Sequence, residues 1–477
     1  MTGYESILER RTTDFDKRII EISDKGKPYA SISNVITVIL NPRYAEESGI
    51  LCGRFFYDSF AQEAKLYGYL RGENLPEDTV RNIDDSIINK LGVEIERQFD
   101  IKFNKNNLIE AIRYVAGIYE VNPAKEKIQN IKWDGDEKAI RNLLPTYLGA
   151  EESDLNEWIM EHTIVGMIER IFEPGTKHDE MMVLLGAQGI GKSTFARLLA
   201  LDDQWFCTIE NISGKDTVMN LMGKSVVEIE EFVALRNAKS PNHAKSFLSK
   251  LYDRVRPPYD KFSKDIPRTC VMIGTLNETT FLNDHTGERR YHPVKCNMDK
   301  RKKPVYPKEE YLNNMTIEEY KKSVKRDFEN AVAYGYKLYK SGKHSPIIPE
   351  NLLPDLLRIQ SECKHLNPDI EEIRNFIEIY KPESAQPDIC CWKEYTMTGR
   401  NIKSKAFTEI MENYFTEWEA VHCENPKRIN LGGDSIVVRM YYKKKTEVNE
   451  EDEFKASEQM RLTDGFICID DKDTVPF

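Results

Sequence analysis

Apolar positions along the chain follow helical spacing in some stretches and gather into short unbroken runs in others. Residues 83–99 bring Ile87, Ile88, Leu91, Ile95 and Phe99 to one helical face, and residues 106–119 do the same with Leu108, Ile112, Val115 and Tyr119. The run ISNVITVIL, Ile32 to Leu40, is β-branched enough for a strand and long enough to begin a helix, so its type stays open. A small, mainly helical N-terminal domain with one or two strands is expected over residues 1–145. Helical spacing returns from Leu155 to Phe172 and stops at Pro174-Gly175, a marker of entry into a new domain.

Beyond that marker, apolar runs of strand length alternate with helices: MMVLL (181–185), KSTFARLLA (192–200), SVVEI (225–229) and CVMIGTL (270–276). Strands of a parallel sheet are covered on both faces and read as continuous apolar runs, so the alternation predicts an α/β core over residues 146–305. A helical region is expected over 306–385, with a long polar helix at 316–341 and helical spacing at 370–380. The remainder, 386–477, reads as a small α+β region. Its segment SKAFTEIMENYFTEWEA (404–420) suggests a helix, and IVVRMYYKKK after it suggests a basic β-hairpin, the succession found in a winged-helix module. The acidic run from Glu447 to Glu453 opens a tail expected to be mobile.

A length of 477 residues leaves room for about three domains, and 40% apolar with 31% charged residues is the composition of a globular protein. No stretch approaches a membrane span, and the opening MTGYESILERR has no apolar signal run, so a cytoplasmic protein without membrane contact is expected. Nine scattered cysteines with no C-x-x-C pair suggest neither a disulfide framework nor a zinc ribbon. With 68 basic and 79 acidic residues the net charge is −11, which argues against coating nucleic acid with the whole surface. Residues 241–310 nevertheless hold 15 basic against 9 acidic side chains, a local path for a polyanion or simply a solvated charged face.

The segment Gly186-Ala187-Gln188-Gly189-Ile190-Gly191-Lys192-Ser193 matches G-x-x-x-x-G-K-[ST] and lies between an expected strand and an expected helix. Gly186, Gly189 and Gly191 let backbone N–H groups curl around phosphates. Lys192 reaches the β- and γ-phosphates, the Ser193 hydroxyl ligates Mg²⁺, and Thr194 lies in the same first helical turn. Val226-Val227-Glu228-Ile229-Glu230-Glu231 supplies the acids that a P-loop ATPase needs on a second strand. Glu228 is assigned near the metal and Glu231 near the attacking water, although the strand pattern leaves the division of roles open. Asn277, at the end of the third strand, is placed to sense the γ-phosphate or position water; turn propensity explains it almost as well.

Arg289 and Arg290 stand where an α/β core reaches its edge, and either is a candidate finger toward a neighbouring subunit's phosphate or a partner in a bridge within its own subunit. Between the acidic strand and the Asn277 strand, Lys250, Arg254, Arg256, Tyr259, Lys261 and Lys264 interleave cations with aromatics. That mixture suits single-stranded DNA, and Pro257-Pro258 suggests the tip of a hairpin; an exposed loop with aromatics packed on the core is the alternative.

Over roughly residues 120–340 the sequence resembles the virulence-associated protein E family, P-loop proteins of phages and mobile islands related to superfamily 3 replicative helicases. The resemblance rests on NIKWDGD (130–136), IERIFEPGTKHDEMMVLLGAQGIGKST (168–194), VVEIEEF (226–232), DRVRPPY (253–259), PRTCVMIGTLNE (267–278) and TGERRYHPV (286–294), in that order. It implies an AAA+-like ATPase that forms hexameric rings, threads single-stranded or forked DNA and hydrolyses ATP with Mg²⁺ at subunit boundaries. In that scheme Lys192 and Ser193 belong to Walker A, Glu228 and Glu231 to the Walker B region, Asn277 to sensor 1, and Arg289 or Arg290 to the finger. The segment from Arg254 to Lys264 takes the place of the DNA-contacting hairpin.

The acidic strand departs from the commoner pair of adjacent acids. The residues before the core show no paired-acid motif of the primase domain fused to many relatives, so a separate primase or replication initiator is the expected partner. A helicase or initiation motor of a phage or mobile element is the leading reading. An ATPase switch with a regulatory or defence role and no unwinding is the alternative, and a small-molecule kinase a distant third.

Overall fold

The computed structural model describes residues 17–45, 49–230, 241–256, 263–277, 281, 288–363, 368–380, 389–399, 402–415, 418–420, 428–431, 434–437 and 440–443. The chain divides into two compact units, Met1–Cys363 and Lys364–Phe477.

The segment left open in the sequence is a helix, α1 (Ile32–Leu40). Ser31 decides it: its hydroxyl accepts from the Asn34 N–H in an N-cap that a strand has no use for. Asn34, buried in the first turn, accepts from Glu21 N–H and donates to the carbonyls of Glu21 and Tyr29. The helices expected at 83–99 and 106–119 are α3 (Asp85–Phe99) and α4 (Lys105–Ile118), capped by Asp84 and Asn104, with the short α2 (Pro42–Ala45) preceding them.

The N-terminal region holds more strand than expected. β1 (Leu51–Asp58) and β2 (Glu63–Leu70) pair antiparallel from Leu51↔Leu70 to Asp58↔Glu63, and β3 (Val80–Asn82) and β4 (Glu120–Val121) complete the order β3-β2-β1-β4. The turn explains why. Asp58 accepts from the N–H groups of Phe60 and Ala61 through one oxygen and from Lys65 Nζ through the other at 2.8 Å, while Gln62 takes φ +59°. A region expected to be mainly helical is therefore mixed, with helices packed on a four-stranded sheet.

Five strands form the central sheet: β5 (Met181–Leu185), β6 (Phe206–Ile209), β7 (Val226–Glu230), β10 (Val271–Leu276) and β11 (Tyr291–Lys295). Their order is β11-β5-β10-β7-β6 and every pairing is parallel. Between β7 and β10 lie helix α10 (Pro241–Leu248) and a separate antiparallel hairpin of β8 (Tyr252–Val255) and β9 (Lys264–Pro267).

Side chains alternate between two cores. Met182, Leu184, Val226, Val271, Ile273 and Val294 face one, while Met181, Val183, Leu185, Val227, Ile229 and Met272 face the other with Phe247 and Leu248. The first core is roofed by α7 (Asp154–Phe172), by α8 (Lys192–Leu199) and by α11 (Ile317–Ser341), whose start carries a Thr316–Glu319 capping box. Val324, Phe328 and Val332 of α11 belong to that core, so the helical segment after residue 305 packs with the central sheet rather than apart from it.

In the second unit, helix Pro368–Asn375 runs into a π-helical turn at Phe376–Tyr380, and helix Ser404–Tyr414 ends short of the expected 420 because Trp418–Ala420 is a strand. The run IVVRMYYKKK is not one hairpin. Asp434–Val437 pairs with Arg428–Leu431, whereas Met440–Lys443 pairs with Ile389–Cys391 and Trp418–Ala420. The acidic segment 447–453 lies outside the described residues. Among the described cysteines, Cys207, Cys270, Cys296 and Cys363 are free thiols. No helix among the described residues is long and apolar enough to cross a membrane.

Candidate functional site

β5 delivers the chain into the glycine-rich loop, and α8 begins at its last position. Gly191 takes φ +105°, and a Cβ there would stand 2.5 Å from Val305 Cγ2, so both conformation and space demand glycine. A Cβ on Gly186 would meet the Cys296 carbonyl oxygen at 2.7 Å. The loop is also strapped from outside: Tyr306 donates to the Gly189 carbonyl at 2.7 Å, and Arg301 Nη1 donates to the Ile190 carbonyl at 3.2 Å. Burial pushes the neighbouring Cys296 thiol up to about 12, so it stays protonated.

Lys192 is buried at the start of α8, and its Nζ donates to the carbonyls of Gly186 (2.6 Å) and Ala187 (3.0 Å) and to Asn277 Oδ1 (3.0 Å). The loop therefore curls around the ammonium, and the Ser193 and Thr194 side chains share that turn, Ser193 exposed and Thr194 half-buried. Asn277 reaches Lys192 because β10 is inserted between β5 and β7. In open parallel sheets, ligands collect at the carboxyl ends of the strands, and the loop, Asn277 and the end of β7 all lie at that edge.

Glu228, in the middle of β7, is 2% exposed. Thr275 Oγ1 on β10 donates to its Oε1 at 2.7 Å, and Thr208 Oγ1 on β6 donates to its Oε2 at 3.2 Å. The register places those threonines on the strands either side. Glu230 shares the face of Glu228 and is exposed at the strand end. Glu231 lies outside the described residues.

The two candidate arginines differ. Arg290 Nε lies 3.2 Å from Asp179 Oδ2, and its Nε and Nη2 donate to Ser249 Oγ at 3.3 and 3.2 Å, so it is tied within its own chain. Arg289 is exposed. The basic strip is built on the β8–β9 hairpin, with Arg254, Arg256 and Lys264 exposed. Arg254 lies opposite Asp265, 4.0 Å away, and Lys250 is 3.2 Å from Asp253. Tyr259 and Lys261 lie outside the described residues. The hairpin base is pinned by a buried pair: Arg268 Nε donates to Asp253 Oδ2 at 2.6 Å, and its guanidinium stacks 4.4 Å from the Phe247 ring centroid. Burial alone would raise the Asp253 carboxyl, but Arg268 and then Lys250 outweigh it and hold the group below its ordinary range.

Thr208, Thr275, Arg301 and Tyr306 escaped sequence reasoning. Each serves through a contact made by strand order or by a distant strap, and no fixed spacing announces such contacts. A cavity of about 310 Å³ between helix α5 (Pro123–Asn130) and α11, lined by Lys127, Lys132, Arg326 and Glu329 among others, lies apart from the carboxyl edge.

Comparison with known proteins bears on this arrangement. The family model described as the virulence-associated protein E-like domain matches residues 128–351. Residues 128–351 form a virulence-associated protein E-like domain. That domain begins at the end of α5, contains the loop, the acidic strand, the hairpin, Asn277 and both arginines, and runs past α11. No curated protein matches the chain. Among solved structures, one described as the apo structure of the NrS-1 C-terminal region is 16% identical, with a TM-score of 0.47, covering 85% of this chain and 98% of that one. A second, described as the A form of the same region, is 14% identical with a TM-score of 0.44, covering 82% and 96%.

Proposed function

We propose that the chain is an ATP-dependent DNA helicase or replication-initiation motor of a phage or mobile genetic element, translocating on single-stranded DNA as a ring. The observation that carries the reading is Lys192, held inside a glycine-rich strand-to-helix loop and facing Asn277 across the carboxyl edge of a parallel sheet. This is the P-loop of an AAA+-like core in our reading. The residues fit ATP: the three acceptors around Lys192 Nζ mark a pocket of the loop where an ammonium already points, and exposed Ser193 is available to a cation.

When bound, Mg²⁺ neutralises charge on the β- and γ-phosphates. Lys192 exchanges its carbonyl partners for phosphate oxygens, and the N–H groups at the start of α8 add the helix's partial positive charge. Glu228, fixed by two threonine hydroxyls, would supply negative charge toward the cation that Ser193 would hold. Glu231 is assigned to the attacking water, and Asn277 orients that water or reports the γ-phosphate through Lys192. Arg289 is the better finger, because Arg290 is engaged by Asp179 and Ser249. The hairpin contacts DNA through Arg254, Arg256, Tyr259, Lys261 and Lys264, and a separate primase or initiator supplies priming.

Steady-state ATP hydrolysis with and without single-stranded DNA, at two salt concentrations and with Lys192→Ala as the blank, tests the reading. Turnover that rises with DNA and loses the rise at high salt supports a motor. Turnover indifferent to DNA removes the motor and leaves the ATPase switch; turnover retained by Lys192→Ala removes the P-loop itself.

A further inference from the structure

Four of the chain's eight histidines converge at the opposite, amino edge of the central sheet, and we propose that His162, His178 and Glu180 form a binding site for a divalent transition metal, with zinc the natural occupant. His162 is on α7, while His178 and Glu180 alternate in the extended segment leading into β5, which turns Asp179 the other way, toward Arg290. One donor atom from each of the three lies within 4.8 Å of the others. Zinc with bonds of about 2.0–2.2 Å needs closer spacing, so binding would draw the three side chains inward.

The hydrogen bonds around His162 assign its free nitrogen. Glu161 Oε1 lies 2.6 Å from His344 Nδ1, so that nitrogen carries the proton and donates to the carboxylate. His344 Nε2 is then a bare acceptor, 3.2 Å from His162 Nδ1, which must in turn carry a proton and donate. In the neutral ring this leaves His162 Nε2 as a lone pair. It is buried, has no hydrogen-bond partner, and faces Glu180 Oε2 at 3.6 Å.

A lone pair buried opposite a carboxylate oxygen needs a positive charge between them, and either a proton or a metal ion supplies it. The surroundings favour the metal. Trp158 stacks on His162 at 4.9 Å and 6°, fixing the ring plane, and His178 lies on its other side with centroids 4.6 Å apart. Gly166 makes room for His178, since a Cβ there would stand 2.2 Å from the imidazole Nδ1. A second imidazole beside His162 brings no counter-charge to an imidazolium, whereas to a metal it offers a further lone pair. The Glu161–His344–His162 chain is the carboxylate–histidine arrangement that orients a metal-bound imidazole. Two imidazoles and one carboxylate suit zinc, and Glu180, whose side chain is 29% exposed, opens the site to a water as fourth ligand. The buried Arg170 opposes a cation here, and Glu161, Glu169 and Glu180 offset it.

Zn²⁺ titrated into metal-stripped full-length protein, followed by calorimetry and thermal melting, tests the site. One equivalent should bind and raise Tm, with affinity at least tenfold weaker in Glu180→Gln and 10–100-fold weaker in Glu161→Gln, which acts only through His344. Co²⁺ in place of zinc should give visible bands without the near-ultraviolet charge transfer of a cysteine thiolate. Should His162→Gln fail to fold, Glu180→Gln, at a partly exposed position, still carries the comparison. Absence of binding, equal binding by the Glu180→Gln protein, or a thiolate band would overturn the proposal, as would an imidazolium at His162 in NMR spectra recorded with zinc present. None of these readouts depends on ATP turnover, so failure here leaves the motor reading standing.

Discussion

Lys192 Nζ and Asn277 Oδ1 are 3.0 Å apart although 85 residues separate them, and the contact exists because the strand ending in Asn277 lies directly beside the strand feeding the loop. Asn277→Ala should lower kcat for ATP by roughly 10²-fold if the amide positions water. The KM for ATP should move much less, since Lys192 and the N–H groups at the start of α8 still meet the phosphates. A fall in affinity with kcat intact would assign Asn277 to ground-state binding instead.

Arg289 and Arg290, adjacent in sequence, should part in their effects. Arg290→Ala leaves Asp179 with the Ser249 hydroxyl at 3.3 Å and Lys177 at 3.8 Å, and should cost about 1.5–3 kcal/mol, read by denaturant unfolding. Arg289→Ala should leave the unfolding midpoint unchanged and reduce ATPase activity by roughly 10³-fold. Mixing it with Glu231→Gln protein should restore part of that activity at composite boundaries, and no recovery would confine the arginine to its own subunit.

Arg254, Arg256 and Lys264 stand on the exposed hairpin, and replacing all three by Gln should flatten the dependence of DNA affinity on salt. For single strands the change in log–log slope is roughly 0.7 per charge, about 2 in all. Basal ATP hydrolysis without DNA should be unaffected. A parallel loss of affinity at every salt concentration would mean that the hairpin acts by shape rather than charge.

Asp253 titrates below its ordinary value of 3.8 in the folded chain, so the stabilisation it gives Arg268 is present above that value and drains away as pH falls beneath it. Asp253→Asn should remove this acid limb. At neutral pH it should also loosen the hairpin base by about 3–5 kcal/mol, because Arg268 is left buried without a counter-charge. Melting curves between pH 2 and 7 compare the two proteins.

The strands and helices of the central sheet were legible because both faces of each strand are covered and the apolar runs are unbroken: MMVLL and CVMIGTL are β5 and β10 almost to the residue. FCTI, which became β6, is only four residues long, and YHPVK, which became β11, carries only two apolar side chains; each lies at an edge of the sheet with one neighbouring strand. Ser31 held the information that separates helix from strand at ISNVITVIL, in a residue outside the apolar run itself. The positions of the loop lysine and Asn277 were readable because each follows the end of an unbroken apolar run. Thr208 and Thr275 were not, because a threonine in a strand is ordinary until register puts it against a buried carboxylate. The histidines at 162, 178, 292 and 344 span 182 residues with no repeating interval, so only tertiary packing gathers them.

The central sheet is also a ruler. The five residues of β5 carry the chain from Glu180 to Gly186, six steps and a reach of roughly 20 Å at about 3.3 Å per residue. Packed on both faces, such a strand transmits displacement without absorbing it. One strand therefore spaces the glycine loop and the histidine cluster, holding them at opposite edges of the same sheet.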